Sequence, residues 1–216
     1  MKKMQVLQGL IDSGVIAVIR AESEEQAVKI STACFDGGIK GIELTFTVPG
    51  AADVIKTLTG NFGGEMLVGA GTVLDSETAR AAILSGAAYI VSPGFDAETA
   101  RLCNRYQTPY LPGCLTITEI VRAMESGVDI VKLFPGTAFG PDYVKAIRGP
   151  LPHANIMPTG GVNLGNIDQW IKAGCVAVGA GSDLTAPAKT GDYDGVTKLA
   201  KQFVAKVKDA RGGIGE

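Results

Sequence analysis

Asn155-Ile156-Met157-Pro158-Thr159-Gly160-Gly161-Val162 and, one helix length later, Cys175-Val176-Ala177-Val178-Gly179-Ala180-Gly181-Ser182 are short apolar runs that finish in glycines. Near-continuous hydrophobicity over so few residues is the mark of a parallel strand covered on both faces. Glycines at two successive strand ends distinguish two folds that share strand–helix alternation. An open doubly wound sheet announces its ligand site with one Gly-rich turn near its start. A barrel gathers its loops at one mouth, and the loops after its last two strands are where many barrels hold an anion. The glycine placement therefore predicts a (β/α)₈ TIM barrel, an α/β fold in a single domain.

Six runs of the same kind precede these two: Val15–Arg20, Gly41–Phe46, Met66–Val73, Ala88–Gly94, Pro109–Cys114 and Asp129–Pro135. Most of the intervals carry helix signals. Ser23 with Gln26 and Thr116 with Glu119 read as capping boxes. Pro49 and Pro141 sit where the first turn of a helix tolerates proline. After Asp194, the spacing of Val196, Leu199, Ala200, Phe203 and Val207 predicts a last helix. Nothing in the composition divides the chain, so residues 1–216 read as one domain. Val6, Leu7, Leu10 and Ile11 form a helix closing the barrel's bottom in this reading, and Gly212-Gly213-Ile214-Gly215 a frayed tail.

Of the 216 residues, 46% are hydrophobic and 19% charged, which supports a sizeable core and argues against disorder. Twenty Lys and Arg against 22 Asp and Glu leave a net charge of −2. No general basic field is present to attract nucleic acid. No run reaches the roughly 18 apolar residues of a membrane helix. Met1-Lys2-Lys3 is followed by polar Gln5 and Gln8 rather than by a signal-peptide core. A cytoplasmic protein with neither nucleic acid nor membrane as partner is expected. Cys34, Cys103, Cys114 and Cys175 form no CxxC pair and read as reduced core residues. His153 is the one histidine and reads as an exposed turn residue. A zinc site needs three or more nitrogen, sulfur or carboxylate ligands, so no metal and no cofactor are expected.

Charged residues inside strands carry the chemistry. In Asp129-Ile130-Val131-Lys132-Leu133-Phe134-Pro135, Lys132 shares a face with Ile130 and Phe134. Lysine is almost never fully buried without a partner or a task. It is either ion-paired and structural or a desolvated amine, neutral enough to attack a ketone and form a Schiff base. Gly41-Ile42-Glu43-Leu44-Thr45 puts Glu43 and Thr45 on one face, and a carboxylate there is costly unless paired or catalytic. Arg20 ends the first strand on the side where barrel active sites lie, suited to a carboxylate in a bidentate fork. Thr159-Gly160-Gly161 and Gly181-Ser182 offer backbone N–H groups to a phosphate. A phosphosugar isomerase or synthase, with Lys132 as a point charge for phosphate, and a non-catalytic sugar-phosphate binder are the competing readings.

Five motifs in this order, Gly41-Ile42-Glu43-Leu44-Thr45, Gly69-Ala70-Gly71-Thr72-Val73, Ser92-Pro93-Gly94, Val131-Lys132-Leu133-Phe134-Pro135 and Pro158-Thr159-Gly160-Gly161-Val162, resemble the bacterial 2-keto-3-deoxy-6-phosphogluconate (KDPG) and 4-hydroxy-2-oxoglutarate (KHG) aldolases. The resemblance runs from about Val15 to Leu184. It implies a homotrimeric class I aldolase, a carbon–carbon lyase of the Entner–Doudoroff route, that cleaves KDPG to pyruvate and glyceraldehyde 3-phosphate and also acts on KHG. It implies Lys132 as the Schiff-base lysine and Glu43 as the general acid/base. Thr72 and Pro93 match pyruvate-contacting positions, and Phe134 lies beside the imine. Thr159, Gly160, Gly161, Gly181 and Ser182 match the phosphate loops. Several members carry an arginine four residues after the glutamate, to hold the substrate's anionic groups. This chain has Thr47 there, with Arg20 as the candidate replacement.

Overall fold

The structure, a computed structural model, describes residues 2–212. Eight parallel strands alternate with helices: β1 Val15–Ile19, β2 Gly41–Thr45, β3 Leu67–Gly71, β4 Tyr89–Val91, β5 Tyr110–Leu111 with Gly113–Cys114, β6 Val131–Leu133, β7 Ile156–Pro158 and β8 Val178–Ala180. Hydrogen bonds join β5 through β1 to β8 in one sheet and the second half of β5 through β6 to β7 in another. The two sheets are one ring. Pro112 has no N–H to donate, which splits β5, while its carbonyl accepts from Lys132 N at 3.0 Å. The bridge between Thr159 and Gly179 closes β7 onto β8. The expected (β/α)₈ barrel is present.

Each strand is shorter than its apolar run, because the run's last residues turn outward as mouth loops. The helices are α1 Lys2–Ser13, α2 Glu24–Asp36, α3 Ala51–Phe62, α4 Ser76–Leu84, α5 Ala97–Arg105, α6 Ile117–Glu125, α7 Pro141–Arg148, α8 Ile167–Lys172, the short α9 Ser182–Thr185 and α10 Tyr193–Gly212. Thr116 and Glu119 form a full capping box, and Pro141 opens α7. Two local signals resolve differently. Gln26 donates its N–H to Ser23 but accepts from Glu22 N instead of Ser23 N, one residue outside the box. Pro49 precedes the helix, because Gly50 at φ 63° takes the cap of α3. In the tail, Gly212 ends α10, and Gly213-Ile214-Gly215 lie outside the described residues.

Two apolar clusters result from the alternation of side chains along each strand. Outward residues such as Ala17, Ile19, Ile42 and Leu44 pack beneath the helices, with Trp170 and Phe203. Inward residues Ile16, Tyr89, Val91, Leu111, Ile130, Met157 and Ala177 fill the barrel, and Val6 and Leu10 of α1 plug its lower end. The four cysteines are free and buried, and burial pushes each thiol up to about 12. His153 is exposed. No helix among the described residues is long and apolar enough to cross a membrane.

Inside the barrel, Val18, Glu43, Gly69 and Tyr89 are successive register partners and share one level. A Cβ on Gly69 would collide with the Tyr89 ring. Gly69→Ala is therefore expected to cost about 1–3 kcal/mol by overpacking. Gly60, on the exposed side of α3, meets nothing within 4 Å. Gly60→Ala is expected to gain about 0.5–1 kcal/mol from helix propensity. Denaturant unfolding of the two variants checks the opposite signs.

Candidate active site

Lys132 sits in the middle of β6 and is 4% exposed, and Glu43 in the middle of β2 is 0% exposed. Lys132 Nζ lies 3.2 Å from Glu43 Oε1. The same Nζ stands 5.1 Å from the centroid of the Phe134 ring, a cation–π distance. Glu43 Oε2 has no hydrogen-bond partner. A buried ion pair kept for stability needs its remaining lone pairs satisfied. This pair keeps one carboxylate oxygen uncommitted beside an amine, which suits proton transfer better than structural bracing.

Glycine makes the room. A Cβ on Gly71 of β3 would strike the Glu43 carboxylate, and one on Gly179 of β8 would strike Thr159 Oγ1. Gly113 admits the carbonyl of Pro93 in the same way. Pro93 is half-buried beyond β4. Its turn is fixed by Tyr110, whose hydroxyl lies 2.7 Å from Ser92 Oγ and accepts from Asp96 N at 3.2 Å. Thr72 follows β3 with φ 57°. A β-branched residue in the left-handed region stores about 1–3 kcal/mol of strain and is found mainly at functional sites.

The glycine loops after β7 and β8 form a small cleft with Phe134, Thr159 and Ser182. Arg20 lines this cleft, its Nη1 3.7 Å from where a Cβ of Gly181 would stand. The structure thus places Arg20 at the glycine loops, between β1 and β8. Arg20 and Ser182 also border an outer cleft of about 540 Å³ that Lys189 lines as well. Thr47 is exposed on the turn after β2. Thr45 Oγ1 donates to Ile19 O at 3.0 Å, so the 2.8 Å contact between the two threonine hydroxyls uses the Thr47 proton. A larger cavity, about 690 Å³, opens at the opposite end of the barrel around Gly9, Gly64 and Gly86, away from Lys132.

Lys132, Glu43, Phe134, Thr159 and the glycine loops therefore gather at one mouth, with Arg20 on the loop side and Thr47 at the β2 rim. Two residues of the interior have roles that the sequence reading missed. Thr45 was visible as sharing a face with Glu43, and its role is to tie β2 to β1. Tyr89 reads in sequence as one more apolar strand residue. Only the register with Gly69 and Glu43 shows its phenol to be interior. Among the described residues no three His, Cys, Asp or Glu side chains come together.

Residues 6–199 match the family described as KDPG and KHG aldolase. The 2-dehydro-3-deoxy-6-phosphogalactonate aldolase of Escherichia coli (strain K12) is 35% identical over 198 residues, 91% of this chain and 94% of that protein. The 2-dehydro-3-deoxy-phosphogluconate aldolase of Treponema pallidum (strain Nichols) is 36% identical over 192 residues, 87% of this chain and 90% of that protein. A crystal structure of KDPG aldolase from Legionella pneumophila, with pyruvate captured at low pH as a covalent carbinolamine intermediate, superposes with a TM-score of 0.83 at 29% identity. That superposition covers 89% of this chain and 96% of that one. With a family match over nearly the whole length and relatives above 30% identity at that coverage, the chain belongs to the KDPG and KHG aldolase family.

Proposed function

We propose that this protein is a class I aldolase that cleaves KDPG to pyruvate and glyceraldehyde 3-phosphate, with KHG as a further substrate. The observation that carries this reading is the buried Lys132–Glu43 pair, 3.2 Å apart, with its second carboxylate oxygen uncommitted. At that distance Lys132 passes a proton to Glu43 and becomes the neutral nucleophile. The amine adds to the C2 ketone, and the carbinolamine loses water with the proton returned by Glu43. The resulting iminium is the electron sink. Glu43, again a carboxylate, removes the C4 hydroxyl proton, the C3–C4 bond breaks, and the aldehyde leaves an enamine. Glu43 then protonates C3, and hydrolysis frees pyruvate and Lys132. Acid–base catalysis by one positioned group contributes about 10² to 10⁴-fold.

Thr72 and Pro93 border the keto acid in this reading, Thr47 stands at its rim, and Phe134 covers the imine. Thr159, Gly160, Gly161, Gly181 and Ser182 receive the phosphate. Arg20 joins them, since it lies with the glycine loops. Lys132 as a phosphate-binding point charge, the competing reading, is poorly supported: Glu43 already neutralises it, and it does not line the glycine cleft. Assembly as a homotrimer is proposed on the resemblance, and a place in the cytoplasm on the four free cysteines.

Borohydride reduction with pyruvate is expected to leave a reduced pyruvyl adduct on Lys132, located by peptide mass spectrometry. Its absence in excess pyruvate would reject the Schiff base. Lys132→Ala should abolish both adduct and turnover, whereas Glu43→Gln should still be trapped while turnover falls by about 10² to 10⁴-fold. Arg20→Ala is expected to raise KM for the phosphorylated substrate by about 10 to 100-fold, as loss of a hydrogen bond to a charged group implies. KHG cleavage should be unaffected, and steady-state kinetics on the two substrates separates these effects. Light scattering on the eluted protein should give a mass three times that of the chain, and a monomer at micromolar concentration would exclude the trimer.

A further inference from the structure

Glu43 Oε2 and Tyr89 OH are buried side-chain oxygens without a hydrogen-bond partner, and both residues are 0% exposed. They flank one glycine: Gly69 is the register partner of Glu43 on one side and of Tyr89 on the other. A Cβ on Gly69 would meet Cδ2, Cε2 and Cζ of the Tyr89 ring. The ring therefore lies across β3 and carries its hydroxyl toward β2, the strand of Glu43. Two orphaned polar groups in one dry interior are costly separately and complementary together. A carboxylate only accepts and a phenol O–H donates, and a buried water joins such groups where they stand beyond direct reach. Burial, and after it the charge of Glu43, holds the phenol's ionisation well above its usual 10, so it remains a donor.

We infer that Tyr89 is a positioning residue for Glu43, its O–H donating through one buried water to Oε2 and fixing the carboxylate over the reacting carbons. The inference rests on the aldolase reading above. It also supplies what that reaction lacks. Once C3–C4 cleavage turns the iminium into a neutral enamine, its nitrogen no longer carries a positive charge toward Glu43 Oε1, and the ion pair that orients the carboxyl group is gone. The hydrogen bond from the β4 side is independent of that chemistry. It keeps Glu43 aimed while C3 of the enamine is protonated.

The test is Tyr89→Phe in the full chain, which keeps the ring over Gly69 and removes the hydroxyl. Two properties are read with pyruvate as the probe: borohydride trapping on Lys132, and exchange of the methyl protons with deuterated water by NMR. Trapping is expected at the wild-type level while exchange falls about tenfold, the size of a hydrogen bond to a charged group. Exchange at the wild-type rate would overturn the inference. So would an equal loss of trapping and exchange, which marks a displaced site, or a raised melting temperature with unaltered exchange, which marks an orphaned hydroxyl. Failure of the wild-type protein to trap pyruvate would instead overturn the aldolase reading itself.

Discussion

A lysine ammonium and a glutamate carboxylate 3.2 Å apart, both withdrawn from solvent, are the constraint that the rest of the interior satisfies. Desolvating such ions costs several kcal/mol each, and their attraction repays this only in good geometry. The geometry comes from the ring. β2 and β6 stand four places apart among eight strands, so Lys132 reaches Glu43 across the barrel rather than along one wall. An eight-strand barrel is just wide enough for side chains to fill. Two long charged side chains can meet there only if the walls between them are cut back.

The cutting back is done by glycine, on the strand next to each demanding group. Gly71 faces the Glu43 carboxylate, Gly69 underlies Tyr89, Gly113 admits the Pro93 carbonyl and Gly179 faces Thr159. Barrels of this kind ordinarily fill their layers with branched aliphatic residues. Here the lower layer does so, with Ile16, Leu111 and Ile130 beneath the pair. The upper layer gives up apolar packing to seat polar groups. Stability resides in the lower layer, in the α1 plug and in the larger cluster under the helices, while the chemistry occupies the level that packing has vacated.

Much of this was legible in the sequence. Eight apolar runs gave eight strands, and glycines at the ends of the last two pointed to a closed ring with an anion site. Lys132 and Glu43 stood out because charge within an apolar strand is rare. Local signals were less faithful where a neighbour competes for the same backbone group. Gln26 reached Glu22 N instead of Ser23 N, and Gly50, free to adopt φ 63°, displaced Pro49 from the helix. Tyr89 was invisible for a different reason. In a strand it satisfies every apolar expectation, and only register, a property of three strands together, reveals what its hydroxyl faces. Arg20 likewise ends its strand as expected. Its side chain's association with Gly181 depends on closure between β1 and β8, which no single segment encodes.

Closure also decides how the mouth distinguishes the two ends of a substrate carrying a phosphate and a carboxylate. On the β7–β8 side, Arg20 adds a full positive charge to loops already offering backbone N–H groups. On the β2 side stand the hydroxyls of Thr45 and Thr47, with one proton passed to Ile19 O and the other to Thr45. The Lys132 charge is compensated by Glu43. In the proposed reaction the phosphate, which carries the greater charge, would be drawn to the Arg20 side, and the reversed orientation would set it near a carboxylate. Binding at that remote end does not lower the barrier unless it is converted into placement. The rigid ring makes the conversion: with the phosphate held at β8, the carbon chain must cross the barrel mouth toward β6. In the proposed reaction the C2 ketone then arrives over Lys132 and the C4 hydroxyl over the Glu43 carboxylate, the arrangement in which proximity counts most.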